Sequence, residues 1–142
     1  MGNTLFTLVE NSHTNIQFKN SINETVDFNV LKYYYTYIGI AVAIGDVNND
    51  GLQDIYFTAI QQSNKLYLNK GDFKFEDVIA KANVSDTEGW TTDANMIDIN
   101  NDGLIDLFLW SLEPVDSIRH IKFITIRLGY TTLNQLFVLI RI

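Results

Sequence analysis

Apolar and polar positions along this chain alternate in short runs, without a sustained helical period. GIAVAIGD (39–46) and LQDIYFTAI (52–60) are apolar runs with β-branched and aromatic residues, each next to turn residues. NKLYLNKGDFKFEDV (64–78) contains two alternating segments around a Lys-Gly-Asp turn, which predicts a β-hairpin. ANMIDINNDGLIDLFLW (94–110) repeats the strand–loop–strand pattern of the first two runs. Only DVIAKA (77–82) predicts a helical turn, so we expect an all-β fold of antiparallel strands.

One acidic loop occurs twice in this β-rich stretch, each time between two apolar runs. GDVNNDGLQD (45–54) and IDINNDGLID (97–106) share the pattern D-x-N-x-D-G-x-x-D at a spacing of 52 residues. A repeat of this length with several strands per unit is typical of the blades of a β-propeller. The sequence therefore predicts about two blades of the propeller type, fewer than the roughly four to eight of a closed propeller.

The residue types of the loop favour a hard divalent cation. Ca²⁺ takes six to eight oxygen ligands from carboxylates, amide and backbone carbonyls, and water. Alternate side chains at positions 1, 3 and 5 can point into one concave loop, and glycine at position 6 permits the positive φ of a sharp turn. A backbone carbonyl at position 7 and a carboxylate at position 9 complete the set. The predicted ligands are Asp46, Asn48, Asp50, the Leu52 carbonyl and Asp54 in the first loop, and Asp98, Asn100, Asp102, the Leu104 carbonyl and Asp106 in the second.

The loop pattern has two other interpretations. An EF-hand needs an acid at position 12 and helices on both sides, but position 12 is Phe57 or Leu109 and both flanks resemble strands. Alternatively, Asn-Asp-Gly is a good hairpin turn with Asx caps and needs no metal. A turn alone does not demand acids at positions 1, 5 and 9 in two registered copies. We therefore expect about two Ca²⁺ ions.

Charge and composition narrow the classes of function. The 142 residues carry a net charge of −7, which disfavours nucleic acid as a partner. There is no cysteine, so thiolate metal sites are excluded. No uncharged apolar stretch reaches the roughly 18 residues of a membrane span, and the N-terminus lacks the pattern of a signal peptide. The tyrosines of LKYYYTY (31–37) are expected to be strand residues that pack on alternate faces.

The chain divides in composition near residue 110. Residues 1–110 hold 15 acids and 6 bases, whereas residues 111–142 hold 2 acids and 4 bases. We expect a repeat region at 1–110 and an atypical tail at 111–142, whose C-terminus is truncated or read out of frame. The whole chain is then expected to be a fragment of a longer protein that contains the remaining blades.

At these residues the sequence resembles the FG-GAP/VCBS repeat family, the calcium-bearing blades of integrin-α-like β-propellers. GIAVAIGDVNNDGLQDIYFT, NKLYLNKGDFKFEDV and GWTTDANMIDINNDGLIDLFL are similar to bacterial multi-repeat proteins that often end in an ASPIC/UnbV module. The resemblance covers about residues 5–110. It implies four-stranded antiparallel blades with Ca²⁺ in the hairpin loop between the first two strands.

The resemblance also implies a role. Family members are usually extracellular or attached to the cell surface, and serve adhesion or the binding of proteins and glycans. We therefore expect a non-enzymatic, calcium-stabilised binding module. The alternative is part of a carbohydrate-active enzyme, whose catalytic acid would come from Asp86, Glu88 or Asp93 in SDTEGWTTD or from missing blades.

Overall fold

The structure is a computed structural model that describes residues 5–34, 36–37, 39–85, 90–112, 119–125 and 136–140. Two four-stranded antiparallel sheets dominate it, and in each of them the strands lie side by side in chain order. The first sheet consists of β1 (Val42–Gly45), β2 (Asp54–Phe57), β3 (Lys65–Asn69) and β4 (Phe75–Asp77). The second sheet consists of β5 (Trp90–Ile97), β6 (Asp106–Leu112), β7 (Arg119–Thr125) and β8 (Leu136–Ile140). The predicted all-β fold is confirmed, and the two sheets of the described residues form no closed propeller.

Two single-turn helices accompany the sheets. The helical turn predicted from DVIAKA is confirmed as α2 (Ile79–Ala82), which follows β4. The sequence did not indicate α1 (Asn11–Thr14), because a four-residue helix is too short to show a hydrophobic period. Both helices end at an asparagine in the left-handed conformation, Asn15 and Asn83, a residue type that adopts this conformation readily.

The sheets pack face to face through their first strands, β1 and β5. Strand alternation places Ala43 and its neighbour Tyr56 on one face of the first sheet, and Ala94 and its neighbour Leu109 on one face of the second. These residues are buried in a single apolar cluster, which also takes in α2. The shared core therefore lies between the sheets, and each sheet covers one face of the other.

Gly45 sets the closest approach between β1 and β5. A Cβ atom added at Gly45 would lie 3.0 Å from both Cβ and Sδ of Met96. Because a contact of 3.0 Å is tighter than nearly all real Cβ contacts, a side chain at position 45 requires Met96 or its strand to shift by a few tenths of an ångström.

We expect Gly45→Val to lower the free energy of unfolding by about 1–3 kcal/mol, the usual cost of overpacking a core. Val42→Ile adds one methylene to the exposed face of the same strand and should change stability by less than about 0.5 kcal/mol. Urea unfolding of both variants measures the difference. Equal stabilities would contradict the close contact between the two strands.

A buried polar network also joins the sheets. Asn64 lies in the loop between β2 and β3, is 0% exposed, and accepts a hydrogen bond from the Ala59 N–H at 2.7 Å. Its Nδ2 donates to the Tyr56 hydroxyl at 3.0 Å and to Oγ1 of Thr91 on β5 at 3.2 Å. Thr91 in turn shares a hydrogen bond with Ser111 on β6, at 3.1 Å between the hydroxyl oxygens. Asn64 is therefore hydrogen-bonded directly to β5 of the second sheet and, through Thr91, to β6.

The N-terminal part of the chain covers the other face of the first sheet only in part. Phe18 stacks on Phe57 with ring centroids 5.0 Å apart, and Phe57 meets Tyr67 edge to face. On the same face, Val42 and Ile44 of β1 stay 50% and 60% exposed. The central strands β2 and β3 are therefore covered on this face, whereas the edge strand β1 is not.

The prediction that residues 31–37 form a strand is wrong. The described residues of this stretch lie in turns, and Tyr35 lies outside the described residues. Tyr33 packs edge to face on buried Trp90, whereas Tyr34 and Tyr37 are exposed. Consecutive tyrosines have strand propensity, but among the described residues no strand pairs with this stretch.

The tail contributes two strands to the second sheet. β7 pairs with β6 and β8 pairs with β7, both antiparallel. Composition did not indicate this, because strand pairing depends on backbone hydrogen bonds that any apolar run can supply. The division into residues 1–110 and 111–142 stays a prediction.

Candidate metal-binding loops

The two acidic loops lie side by side, because each follows the first strand of its sheet and those strands are packed together. The first loop joins β1 to β2, and the second joins β5 to β6. Nδ2 of Asn49 in the first loop donates a hydrogen bond to the Gly103 carbonyl of the second, at 3.3 Å. The predicted ligands are thus brought together as two adjacent sets at one edge of the structure.

The first loop is closed by hydrogen bonds from its own backbone. The Asp46 carboxylate accepts from the N–H groups of Asp50 (3.1 Å) and Gly51 (2.8 Å). Asn48 accepts from the Asp50 N–H through Oδ1 and donates to Asp50 Oδ2 through Nδ2 at 2.8 Å. The Leu52 N–H donates to Asp50 Oδ1 at 2.9 Å. The side chains at positions 1, 3 and 5 therefore all turn into the loop, as the spacing predicted.

The second loop has the same hydrogen bonds. Asp98 accepts from the N–H groups of Asp102 (3.1 Å) and Gly103 (2.8 Å), and Asn100 accepts from the Asp102 N–H at 3.0 Å. Asn100 Nδ2 donates to Asp102 Oδ2 at 3.2 Å, and the Leu104 N–H donates to Asp102 Oδ1 at 3.0 Å. The sequence repeat is thus a repeat of conformation as well.

The carboxylate at position 9 of each loop is buried at the start of the following strand. Asp54 is 0% exposed and accepts from the N–H groups of Val47 (3.0 Å) and Asn69 (2.8 Å). Asp106 is 4% exposed and accepts from the Ile99 N–H at 3.1 Å through Oδ2. Its Oδ1 has no hydrogen-bond partner among the described residues. Each of these carboxylates therefore forms a hydrogen bond between the start of its loop and the strand that follows the loop.

Negative charge accumulates in the first loop. Burial raises the pKa of the Asp54 carboxyl above its ordinary value, and the N–H groups of Asn69 and Val47 oppose that rise. The charges of Asp50 and Asp46 raise the same pKa further. Among the described residues, no lysine, arginine or histidine forms an ion pair with these three carboxylates. A bound cation would relieve this repulsion.

The donor set fits a hard cation, although the carboxylates are directed at the loop backbone. Each loop offers three carboxylates and one amide oxygen, which are ligand types that Ca²⁺ prefers. Within the described ranges, no group of three or more His, Cys, Asp or Glu side chains gathers closely enough to hold a metal ion. Asx-type hydrogen bonds, the alternative weighed from the sequence, are therefore present, and the metal assignment stays a prediction.

The backbone of the loops shows one feature that the sequence analysis did not use. Glycine at position 6 has positive φ in both copies, 84° at Gly51 and 82° at Gly103, as predicted. Asn49 and Asn101 at position 4 also have positive φ, 57° and 58°. Asparagine tolerates this conformation better than most residues, so its presence at position 4 was the available signal.

Of the three acids considered for catalysis, the structure describes only Asp93. Asp93 is exposed beside an irregularity in the β5–β6 pairing, and its Oδ1 accepts from the Ala94 N–H at 2.8 Å. Asp86 and Glu88 lie outside the described residues.

Paired antiparallel sheets with an acidic loop after each first strand define a β-sheet repeat protein. Comparison with protein families matches residues 46–109 to the FG-GAP-like repeat, from the first aspartate of the first loop to just beyond the second loop. This match supports the predicted FG-GAP repeat family and indicates a repeat module of the β-propeller type. No curated protein and no solved structure matches the chain.

No helix among the described residues has the length and apolar character needed to span a membrane.

Proposed function

We propose that this chain is a calcium-stabilised repeat module that supports the binding of a protein or glycan outside the cell, and that it is not an enzyme. The observation that carries the proposal is the recurrence of one loop, with the same side-chain hydrogen bonds and the same two positive-φ positions, in two adjacent sheets. The FG-GAP-like repeat at residues 46–109 supports the same role.

In each loop the carboxylates and the asparagine amide would hold the cation, together with the carbonyl at position 7. In the first loop these groups are Asp46, Asn48, Asp50, Leu52 and Asp54. In the second loop they are Asp98, Asn100, Asp102, Leu104 and Asp106. A dication would supply positive charge that turns the mutual repulsion of the carboxylates into attraction.

The position of the loops explains why such a cation would stabilise the fold. Each loop joins the first strand of its sheet to the second, and the acid at position 9 lies in the second strand. A cation held between them would therefore oppose separation of these strands. Because the loops contact each other through Asn49 and Gly103, it would also favour the packing of the two sheets.

The calcium assignment is tested by removing one carboxylate at a time. Asp50→Asn and Asp102→Asn keep the shape of the side chain and remove its charge. We expect wild-type protein to bind about two Ca²⁺ per chain, and each variant to bind about one, since a hard cation prefers carboxylates. Isothermal titration calorimetry with CaCl₂ measures the stoichiometry.

Asp72→Asn is the matched control. Asp72 lies in the turn between β3 and β4, is exposed, and has a positive φ that asparagine also tolerates. This variant should keep wild-type stoichiometry. Loss of binding in the control, or unchanged binding in both loop variants, would refute the assignment of the ions to these loops.

A further inference from the structure

A segment near the N-terminus lies across the outer face of the first sheet. Residues 15–23, which we call the strap, run from the edge strand β4 to the loop that joins β2 to β3. The odd-numbered residues of the strap are exposed, and the half-buried ones are Ile16, Phe18, Asn20 and Ile22. This alternation indicates an extended segment that rests one face on the sheet.

Side chains, rather than a backbone ladder, hold the strap on the sheet. Among the described residues, no backbone–backbone hydrogen bond joins the strap to the sheet. At its start, Nδ2 of Asn15 donates to the Phe75 carbonyl of β4 at 3.2 Å. The apolar residues of the strap lie outside the buried core cluster. The strap therefore lacks the paired backbone and the buried core that stabilise β2 and β3.

The far end of the strap is held by two glutamines of the loop after β2. Oε1 of Gln61 accepts from the Asn23 N–H at 2.8 Å, and its Nε2 donates to the Asn23 carbonyl at 3.1 Å. Nε2 of Gln62 donates to the Lys19 carbonyl at 2.6 Å. We call Gln61 and Gln62 the latch, because three hydrogen bonds from their side chains bind the backbone of the strap.

One further hydrogen bond ties a buried backbone group to the strap. The Ile60 N–H, next to the latch, donates to Oδ1 of Asn20 at 3.1 Å. Ile60 is 0% exposed. Its N–H loses this acceptor when the strap leaves the sheet, so it reports whether the strap is in place.

The backbone of the latch is strained. Gln61 has a φ of 64°, in the left-handed region that glycine adopts without steric cost and that glutamine seldom adopts. Such a conformation persists only where the surrounding structure holds it. Both hydrogen bonds of the Gln61 amide go to Asn23, so the strained residue is also the one that holds the end of the strap.

We propose that the strap is a releasable cover, which detaches from the first sheet when the latch opens while both sheets stay folded. Release lets Gln61 leave its strained conformation, and this offsets part of the loss of the latch hydrogen bonds. It also uncovers the Phe57 ring, on which Phe18 stacks and which lies beside exposed Val42 on the same face of the sheet. The strap therefore controls how much of this apolar face meets solvent.

Hydrogen exchange of single backbone N–H groups, followed by ¹⁵N NMR of the full chain, tests the proposal. The Ile60 N–H reports release of the strap, and the N–H of Tyr56, in the central strand β2, reports unfolding of the sheet. We expect the Ile60 N–H to exchange at least about tenfold faster than that of Tyr56. Low concentrations of urea should accelerate exchange at Tyr56 and leave Ile60 unchanged, because a local opening exposes little surface.

Two variants weaken the latch, and a third is the matched control. Gln61→Gly removes two hydrogen bonds together with the strain, and should speed exchange at Ile60 about tenfold while exchange at Tyr56 changes less than about threefold. Gln62→Ala removes one hydrogen bond and should speed exchange at Ile60 about fivefold. Gln17→Ala truncates an exposed strap side chain that forms no hydrogen bond in the described part of the chain, and should exchange like wild type.

The ¹⁵N spectrum of each variant checks that it is folded. Exchange at Ile60 that matches Tyr56 in rate and in urea dependence would show that the strap leaves only when the sheet unfolds, and would overturn the proposal. Unchanged exchange at Ile60 in both latch variants, or an equal acceleration in Gln17→Ala, would overturn it as well.

Discussion

Asn64→Leu is expected to lower the free energy of unfolding by about 3 kcal/mol, since a buried donor or acceptor without a partner costs roughly 1–3 kcal/mol and three hydrogen bonds are lost. Leucine has the same branched side chain of four heavy atoms and is somewhat larger, so the change removes the hydrogen bonds and opens no cavity, while its added bulk also costs stability. The Ala59 N–H loses the acceptor that lies 2.7 Å away, and the Tyr56 and Thr91 hydroxyls lose a donor. The Tyr56 hydroxyl keeps its hydrogen bond to the Val84 carbonyl. The loss of stability is therefore expected to come mainly from the unsatisfied Ala59 N–H and from the lost hydrogen bond to Thr91 of the second sheet.

Urea unfolding of the variant measures this loss, and Asn23→Leu is the matched control. Asn23 is exposed, and its hydrogen bonds with Gln61 use its backbone N–H and carbonyl, which leucine keeps. The control should therefore lie within about 0.5 kcal/mol of wild type. A similarly small change for Asn64→Leu would show that the network does not stabilise the fold.

Millimolar Ca²⁺ is expected to raise the melting temperature, and a chelator should reverse the rise. If each loop binds with a Kd of about 0.1 mM, as in the tighter extracellular modules, about 1 mM Ca²⁺ adds about 1.4 kcal/mol per occupied loop. For a chain of this size that is a rise of roughly 5 °C per loop. Thermal unfolding followed by circular dichroism, with Ca²⁺ and then with excess chelator, measures it.

The ion and the site are checked in the same assay. Mg²⁺ at equal concentration should raise the melting temperature less, because it keeps several waters and prefers octahedral geometry. The double variant Asp50→Asn, Asp102→Asn should show little response to Ca²⁺. Equal effects of Mg²⁺ and Ca²⁺ on wild type and double variant would indicate a general ionic effect and contradict specific loops.

The strands around the loops were predictable because their signals are local. Alternating residues and turn residues identified the strands on each side of both loops and the hairpin from β3 to β4. The turn at Gly51 and Gly103 also follows from residue type, since glycine alone adopts positive φ without steric cost.

The strand wrongly predicted at residues 31–37 and the strands β7 and β8, which composition did not indicate, have a common physical cause. LKYYYTY has the composition of a strand, yet a strand requires a neighbour in space, and this stretch turns instead so that Tyr33 meets Trp90. Conversely, the tail resembles no blade in composition, yet β7 pairs with the edge that β6 offers and β8 pairs with β7. Pairing is decided by which backbone groups become adjacent, and the local sequence does not encode it.

The sequence by itself determined the repeat, the antiparallel β-character and the set of oxygen donors in each loop. These properties depend on residue type and on spacing along the chain. Only the tertiary structure decided that the two loops touch, that Asp54 and Asp106 are buried, and that Asn64 joins the sheets. It also decided which faces of β1 and β5 are covered, because this depends on the packing of sheets that lie about 50 residues apart in the chain. GDVNNDGLQD therefore specifies a loop, and the packing of β1 against β5 makes it one of an adjacent pair.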